Sequence, residues 1–352
     1  MRRTILLFLV LLLLSGCSSG RRQISGLVIE WQTDAAGVLT SLVVETEDGE
    51  ERGILLTEET AVFSQVEGIS REAFLSGEFR EISVSADYDQ LDQTLTTSDG
   101  REIKACPADF LTLEQAHTGD VTLEDGTAVE LWQGSFSDRY RLEDGTELLS
   151  VSVPSGPDGV FVGGLESFDN LSAAAQERVS AYFREQGLLY DTAAELERAY
   201  QAYQADSADF DSFLLEQSIS PTASNDHVMY FLTTVALPID GNTMTELQLG
   251  SAFDRETGEV LDVWSLFTGT PEETAATLLD AAQIADPTLR REMTAAFRPE
   301  YLVWFPENLE VVFPRGTLPS EENTYILGLD YQELESILQP WAVPRTGAEG
   351  NP

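Results

Sequence analysis

Few side chains in this sequence could do redox, metal or nucleophilic chemistry. Cys17 and Cys106 are its only thiols, and His117 and His227 are its only imidazoles. A serine hydrolase needs a serine activated by a histidine, and a zinc site needs three or four cysteine or histidine ligands at suitable spacing. Neither histidine stands in such a motif. We therefore expect both to be structural, with His117 in a loop and His227 at the start of a strand.

The acidic residues offer a second kind of chemistry. Asp87, Asp89 and Asp92 could approach a Ca²⁺ ion, but they lack the glycine and the distal glutamate of a calcium loop, so we expect a solvated strand end. A carboxylate pair for glycoside hydrolysis stays open among 61 acidic residues, because their abundance makes any one pair uninformative. The prediction is no enzyme, no metal and no cofactor. A cell-wall hydrolase or its accessory subunit remains the alternative.

The N-terminus has the pattern of an export signal. A cationic start leads into an apolar run over residues 4–14, which is shorter than the roughly 20 residues that span a membrane. The run ends in Leu14-Ser15-Gly16-Cys17, which resembles the lipobox of bacterial lipoproteins. The resemblance implies that a signal peptide, residues 1–16, is cut away between Gly16 and Cys17. Acyl chains such as palmitate on Cys17 would then hold the protein on the extracytoplasmic face of a bacterial cell membrane.

The charge of the chain restricts its partners. Without residues 1–16, which contain Arg2 and Arg3, the chain has 18 basic and 61 acidic residues, a formal charge of −43. Such a field repels nucleic acid and anionic lipid headgroups. It accelerates association with a basic partner, most strongly at low salt. A merely solvated surface on an exported protein is the alternative explanation of the charge.

The first part of the mature chain is rich in short strands. Ile24 to Trp31 and Val38 to Thr46 alternate apolar and polar residues, and Asp-Gly turn signals follow them. After a lipidated N-terminus and linker at residues 17–23, we predict a small OB-like or SH3-like β-barrel over residues 24–115. An OB fold that binds nucleic acid needs a basic, aromatic groove. This acidic segment is therefore not expected to bind nucleic acid.

The second part mixes strands with unevenly spaced helices, which is typical of an α+β domain. Helical periodicity predicts helices at Leu171 to Glu185 and Thr192 to Glu216, and antiparallel strands return from Ile219 onward. The last residues, 344–352, are polar and rich in glycine and proline, and we expect a disordered tail. The predicted fold class is α+β: a small β-barrel followed by an α+β domain over residues 118–343.

Residues 253–267, FDRETGEVLDVWSLF, carry a family resemblance. They resemble a segment, FDxxTGxxLxLxDLF, of the extracytoplasmic domain shared by RsiV-type anti-sigma factors and PdaC-type peptidoglycan deacetylases. YLVWFPENLEVVF at Tyr301–Phe313 and LDYQEL at Leu329–Leu334 agree with it. The resemblance implies an α+β domain over residues 118–343 that binds an extracytoplasmic partner. That partner would be a basic protein such as lysozyme, which RsiV-type proteins recognise, or peptidoglycan.

Two places depart from the family's pattern and fall between predicted elements. We expect them to be exposed loops that carry partner binding. The return segment after Gly258 should bury Val260, Val263, Leu266 and Phe267. The sequence shows neither an anti-sigma segment nor a deacetylase domain, so we predict a non-enzymatic binding lipoprotein, with a purely structural envelope protein as a further alternative. The candidate partner-binding residues are Asp240, Gly241, Asn242, Pro314, Arg315 and Pro319.

Overall fold

The structure is a computed structural model, and it describes residues 22–35, 37–46, 48–66, 69–75, 81–134, 136–153, 160–238 and 244–345. Cys17, the cleavage site at Gly16 and residues 240–242 lie outside the described residues. Lipidation and the first candidate loop therefore stay predictions. No helix in the described part of the chain is long and apolar enough to cross a membrane.

Most of the described chain is extended. Strands β1 to β17 are Arg22–Thr33, Leu39–Glu45, Glu51–Leu55, Ala61–Ser64, Ile82–Tyr88, Gln93–Thr96, Glu102–Pro107, Phe110–Thr122, Ala128–Gly134, Ser137–Arg141, Glu147–Ser152, Phe213–Ser224, Val228–Pro238, Met244–Asp254, Leu302–Trp304, Asn308–Phe313 and Tyr325–Asp330. Helices α1 to α6 are Arg71–Leu75, Ala173–Gln186, Thr192–Ala205, Pro271–Ala281, Pro287–Ala296 and Tyr331–Leu334. Short 3₁₀ helices lie at Leu165–Ser167, Val263–Leu266 and Pro299–Tyr301.

The predicted fold class is wrong. Strands make up 42% and helices 23%, and fourteen strands form one mixed sheet beside a small three-stranded sheet, with no closed barrel in the described residues. The large sheet runs β14-β13-β12-β11-β10-β9-β8-β5-β1-β2-β3-β7-β6, with β4 paired to β8. The pairs β3–β7, β4–β8 and β11–β12 are parallel, whereas antiparallel strands alone were expected in the second part.

The length of β8 explains why the predicted barrel does not form. The predicted barrel ends at residue 115, but β8 continues to Thr122 and pairs antiparallel with β9 from Gln115 to Thr122. The turn between them is closed by Gly126, whose φ of +90° suits glycine. The sheet is extended by β9 instead of closing on itself. His117 consequently lies in a strand, and its assignment to a loop is wrong.

The chain divides into two compact units, and the first comprises Met1–Thr122 and Ala128–Asp138. Its core is made of the alternate inward residues of its strands, such as Ile82 and Val84 in β5. Cys106 is buried in β7, and burial raises the pKa of its thiol to about 11. It therefore stays a protonated, unreactive core residue. The domain division drawn from the sequence stays a prediction.

The second unit comprises Leu123–Thr127 and Arg139–Pro352. Its centre is the antiparallel ladder β12-β13-β14. Neighbouring side chains of β13 lie on opposite faces of the sheet. Phe231 therefore packs in a hydrophobic cluster with α2, whereas Tyr230 packs in a larger hydrophobic cluster with the three-stranded sheet, α4 and α5. Burying one such aromatic side chain contributes roughly 1.5–3 kcal/mol.

The predicted helix from Thr192 to Glu216 is wrong in its second half. The helix α3 ends at Ala205, and β12 begins at Phe213. Phe213 and Leu215 are buried whereas the alternating residues Leu214 and Glu216 are exposed, which is the period of a strand and not of a helix.

Candidate ligand-binding cleft

The segment that carries the family resemblance has a structural role. Asp254 closes the turn after β14. Its Oδ1 accepts one hydrogen bond from the backbone N–H of Thr257 at 2.7 Å and another from the Thr257 hydroxyl at 2.9 Å. Gly258 has a φ of +74°, and a Cβ there would overlap the backbone of Ala175 in α2. The turn can approach α2 this closely because residue 258 is a glycine.

Arg255 connects the same turn to the loops that contain Asp169 and Asn225. Its guanidinium donates to the carbonyl oxygens of Asp169 at 3.0 Å and Asn225 at 3.1 Å, and it lies over the ring of Phe168. Leu266 and Phe267 are buried as expected. The expectation for Val260 is wrong: it is 49% exposed, because its backbone forms only an isolated bridge with Phe253 and its side chain faces outward.

The candidate loop at Pro314, Arg315 and Pro319 connects β16 to β17. Leu318 is buried in the core of the second unit, and the Ser320 hydroxyl donates to the carboxylate of Glu292 in α5 at 2.6 Å. Pro314 and Arg315 are half-buried, and Pro319 is exposed. The loop is therefore anchored at its centre and at its end. Its role in partner binding stays a prediction.

A cleft of about 270 Å³ opens at the C-terminal end of α2, within the second unit. The neighbouring strands β12, β13 and β14 supply its floor, and the 3₁₀ helix Pro299–Tyr301 supplies one wall. Its lining residues are Tyr182, Phe183, Gln186, Gly187, Leu189, Gln217, Ile219, Thr233, Leu249, Gly250, Ser251 and Glu300.

The end of α2 is fixed by side-chain hydrogen bonds. Gly187 stops the helix with a φ of +70°. The Gln217 carboxamide, which reaches it from β12, donates to the Gly187 carbonyl at 3.0 Å and accepts from the Leu189 N–H at 2.8 Å. Both polar side-chain atoms of Gln217 are thus engaged with the backbone at the rim of the cleft. A ligand would therefore be recognised by other groups.

Ser251 provides an uncommitted polar group. Its side-chain oxygen is buried, and among the described residues it has no hydrogen-bond partner. A buried hydroxyl without a partner costs about 1–3 kcal/mol. Next to it, Gly250 leaves no room for a side chain against the Leu302 carbonyl. This contact holds residues 299–302 against β14 and brings Glu300 to the cleft.

Tyr182 forms the aromatic wall. Its ring meets Phe183 and Phe253 edge to face, with centroids 5.1 Å and 5.2 Å away. Burial, and secondarily the negative charge of Glu300, raises the pKa of the Tyr182 phenol. The phenol therefore stays protonated at neutral pH, where it can donate or accept a hydrogen bond.

Among the described residues that line the cleft, Glu300 supplies the one carboxylate. The Arg298 guanidinium lies 3.8 Å from it, with both side chains largely exposed, so this ion pair is weak. A glycosidase needs two carboxyl groups, about 5–9.5 Å apart, on either side of the substrate. A shallower depression adjoins the cleft at Tyr182 and is lined by Arg178, Glu185 and Glu259 among others.

The two histidines lie outside this cleft. His117 bridges Glu81 and Asp120, with Nε2 3.0 Å from the Asp120 carboxylate, and its ring stacks on Trp132. Burial alone would lower the pKa of His117, but the two carboxylates raise it overall. His227 precedes β13, and its N–H donates to Asn225 Oδ1 at 2.7 Å. No cluster suited to a metal ion occurs among the described residues.

Sequence reasoning missed the residues that form this cleft. Tyr182 fell within the helix predicted at Leu171 to Glu185, and Ser251 and Glu300 gave no motif. They come together only through the packing of α2, β14 and residues 299–301, and these segments are far apart in sequence.

No protein-family model and no curated protein matches the chain. Among solved structures it is similar to DUF3298 family proteins. One, from Pseudomonas aeruginosa PAO1, is 15% identical with a TM-score of 0.28, over 42% of this chain and 72% of that one. Another, from Bacteroides fragilis, is 9% identical with a TM-score of 0.34, over 64% and 92%. These weak similarities carry no argument about ligand or partner.

Proposed function

We propose that the protein is a non-enzymatic lipoprotein that binds a basic extracytoplasmic protein, such as lysozyme, through its second unit. The carrying observation is the cleft at the end of α2: among the described residues, its buried Ser251 hydroxyl has no hydrogen-bond partner and Glu300 supplies its carboxylate, beside the aromatic wall of Tyr182. Among the described residues no group hydrogen-bonds the Ser251 hydroxyl, whereas nucleophilic catalysis by serine requires an adjacent base. These groups of the cleft support a role in recognition.

The charge supports a basic partner. A formal charge of −43 on the mature chain attracts a cationic protein over long range and raises its association rate. It works against nucleic acid and anionic lipid. Lysozyme is the partner that the sequence resemblance implies, and its basic character matches this field.

The test uses the chain from residue 17 onward, with Cys17→Ser so that no lipid is attached. It is titrated with a basic C-type lysozyme and, separately, with an unrelated basic protein of similar size and charge. The proposal expects tighter binding to lysozyme that survives moderate salt. Binding equal to the control and lost as salt screens the charges would overturn it.

Peptidoglycan is a second candidate, favoured by one feature of the surface. The shallow depression adjoins the cleft at Tyr182, so the two together could follow an extended chain. Co-sedimentation with purified peptidoglycan tests this candidate. Release of new reducing ends in the same mixture would instead support the hydrolase alternative.

The lipid anchor has its own test. In cells that express the full chain, labelled palmitate should enter the wild-type protein and not Cys17→Ser. Labelling of both proteins, or of neither, would contradict anchoring at Cys17 and with it the proposed location at the extracytoplasmic face of the cell membrane.

A further inference from the structure

We propose that the cleft at the end of α2 binds the ammonium group of a lysine side chain from the basic partner. The inference rests on the proposed binding function and adds which chemical group enters the molecule, and where. It places the principal contact with the partner at Tyr182, Ser251 and Glu300, and not at the candidate loops 240–242 and 314–319.

The polar groups of the cleft match an ammonium ion. Ser251, Tyr182 and Glu300 each offer an oxygen acceptor along the same wall and floor. An ammonium group has three N–H donors and no acceptor. We infer that one such group donates to these oxygens and gives the buried Ser251 hydroxyl the partner that it lacks among the described residues. A ligand carboxylate would instead be repelled by the negative charge of Glu300, and this repulsion would weaken its binding.

Arg298 bears on the choice of cation. Its guanidinium already lies 3.8 Å from the Glu300 carboxylate, and 66% of its side chain is exposed. The compact ammonium can approach the side of Glu300 that faces the cleft while Arg298 stays on the solvent side. A second guanidinium needs a planar, bidentate contact, for which Arg298 would compete.

The remaining lining suits the methylene stem of lysine. Ile219, Leu249 and Leu189 give apolar contacts, and Tyr182 and Phe183 give aromatic ones. Long cationic side chains bury their stems against apolar surface and keep the charged head among polar groups. An aromatic ring near a cation adds attraction. A volume of about 270 Å³ admits one side chain, not a folded segment.

The rim of the cleft can take the rest of such an interface. Leu188 and Leu189, directly after α2, are 40% and 37% exposed. A buried anchor ringed by exposed apolar residues is the usual arrangement of an interface hot spot. The high negative charge of the chain selects a basic protein to bring that anchor.

The test is an NMR titration of the Cys17→Ser mature chain, with labelled leucine methyl groups. The probe is Nα-acetyl-lysine methylamide, and the matched neutral probe carries an acetylated Nε. We expect the first to shift the Leu189 and Leu249 methyl signals and the second to leave them in place. Equal shifts from both probes, or none from either, would overturn the inference.

Two variants and a matched control assign the site. Glu300→Gln and Ser251→Ala should each weaken binding of the lysine probe about tenfold, as expected for the loss of a hydrogen bond to a charged group. Glu259→Gln also removes one carboxylate beside Tyr182, and Glu259 likewise lies 3.8 Å from an arginine, Arg178. Glu259→Gln should bind the probe as wild type does. Equal weakening by Glu259→Gln and Glu300→Gln would mean that net charge alone matters, and would overturn the site.

The inference and the proposed function can fail separately. If wild type binds lysozyme selectively and Glu300→Gln binds it equally well, the function stands and the cleft is not the anchor. If the lysine probe shifts Leu189 but lysozyme binds no better than the control protein, the cleft is a cation site and the named partner is wrong. Displacement of the probe by a neutral chitin oligosaccharide would overturn the inference in favour of a sugar site.

Discussion

Gly250 lies against the backbone carbonyl of Leu302, at a distance that no other residue could tolerate. This one contact joins β14, in the large sheet, to the segment that begins the three-stranded sheet. Because Glu300 stands two residues before Leu302, the contact also decides where the carboxylate of the cleft lies. A glycine that serves packing thus positions the charged group of the candidate site.

Gly250→Ala should destabilise the protein by about 2–3 kcal/mol, because the added methyl must push β14 and Leu302 apart. The measurement is the free energy of unfolding in urea. Gly328→Ala is the matched control: Gly328 also lies in a strand, β17, and its Cβ would meet only the Asn308 side chain at 3.6 Å. The control should change stability by less than about 0.5 kcal/mol. Equal values for the two variants would contradict the close approach.

Gly258→Ala should cost about 3–4 kcal/mol, the sum of a left-handed backbone and an overlap with Ala175. Gly316→Ala separates the two causes, because Gly316 has a φ of +81° and open space around it. The control should lose only about 1–2 kcal/mol. Chemical denaturation of both variants gives the difference, which measures how tightly the turn packs on α2. No difference would mean that the turn has room to move.

His117 should make stability depend on pH near neutrality. Since Glu81 and Asp120 raise its folded pKa above the ordinary value of 6.5, its protonated form stabilises the fold fully below that value. That contribution is lost as the pH rises through the higher folded pKa. Urea unfolding between about pH 6 and pH 9 should show wild type losing stability relative to His117→Gln.

The control for this pH effect is His227→Gln, which leaves the contacts of His117 with Glu81 and Asp120 in place. This variant shows what the loss of an imidazole at another position does to the same pH profile. A His117→Gln variant with the wild-type pH profile would contradict the bridge.

Asn225 should prove essential for holding the chain near Trp341. It is 7% exposed; its amide donates to the carbonyls of Trp341 and Val343 at 2.9 Å, and its oxygen accepts from the N–H groups of His227 and Val228. Asn225→Ala leaves these groups unpaired and should cost about 2–4 kcal/mol of unfolding free energy.

A conservative variant tests the direction of these hydrogen bonds. Asn225→Asp keeps the acceptor oxygen but places a second carboxylate oxygen against the carbonyl oxygens of Trp341 and Val343, which it repels. The chain near Arg345 should then be held less firmly, so we expect trypsin to cut at Arg345 faster than in wild type. Asn308→Ala is the control, because the Asn308 amide makes a single long hydrogen bond, 3.4 Å, to Glu310. Wild-type cleavage rates for Asn225→Asp would contradict the assigned amide orientation.

Local structure could be predicted from the sequence where it depends on hydrophobic periodicity or on contacts between residues that are close along the chain. The FDRETG turn, with Asp254 and Gly258, was recognisable because its hydrogen bonds join residues three or four apart. Sheet closure was not, because it depends on β8 continuing to Thr122, seven residues past the predicted end of the barrel at residue 115, to pair with β9. The cleft was not predictable either, since Tyr182, Ser251 and Glu300 meet only after α2, β14 and the following segment have packed.

The most direct test of the central claim is hydrogen exchange of the mature Cys17→Ser chain, with and without saturating basic C-type lysozyme. We predict slower exchange at Tyr182–Leu189, the end of α2, and at Leu249–Ser251 in β14, with the control basic protein giving no such change. Protection confined to Pro314–Ser320 would place the partner on the candidate loop instead. No protection anywhere in the second unit would contradict partner binding by this unit altogether.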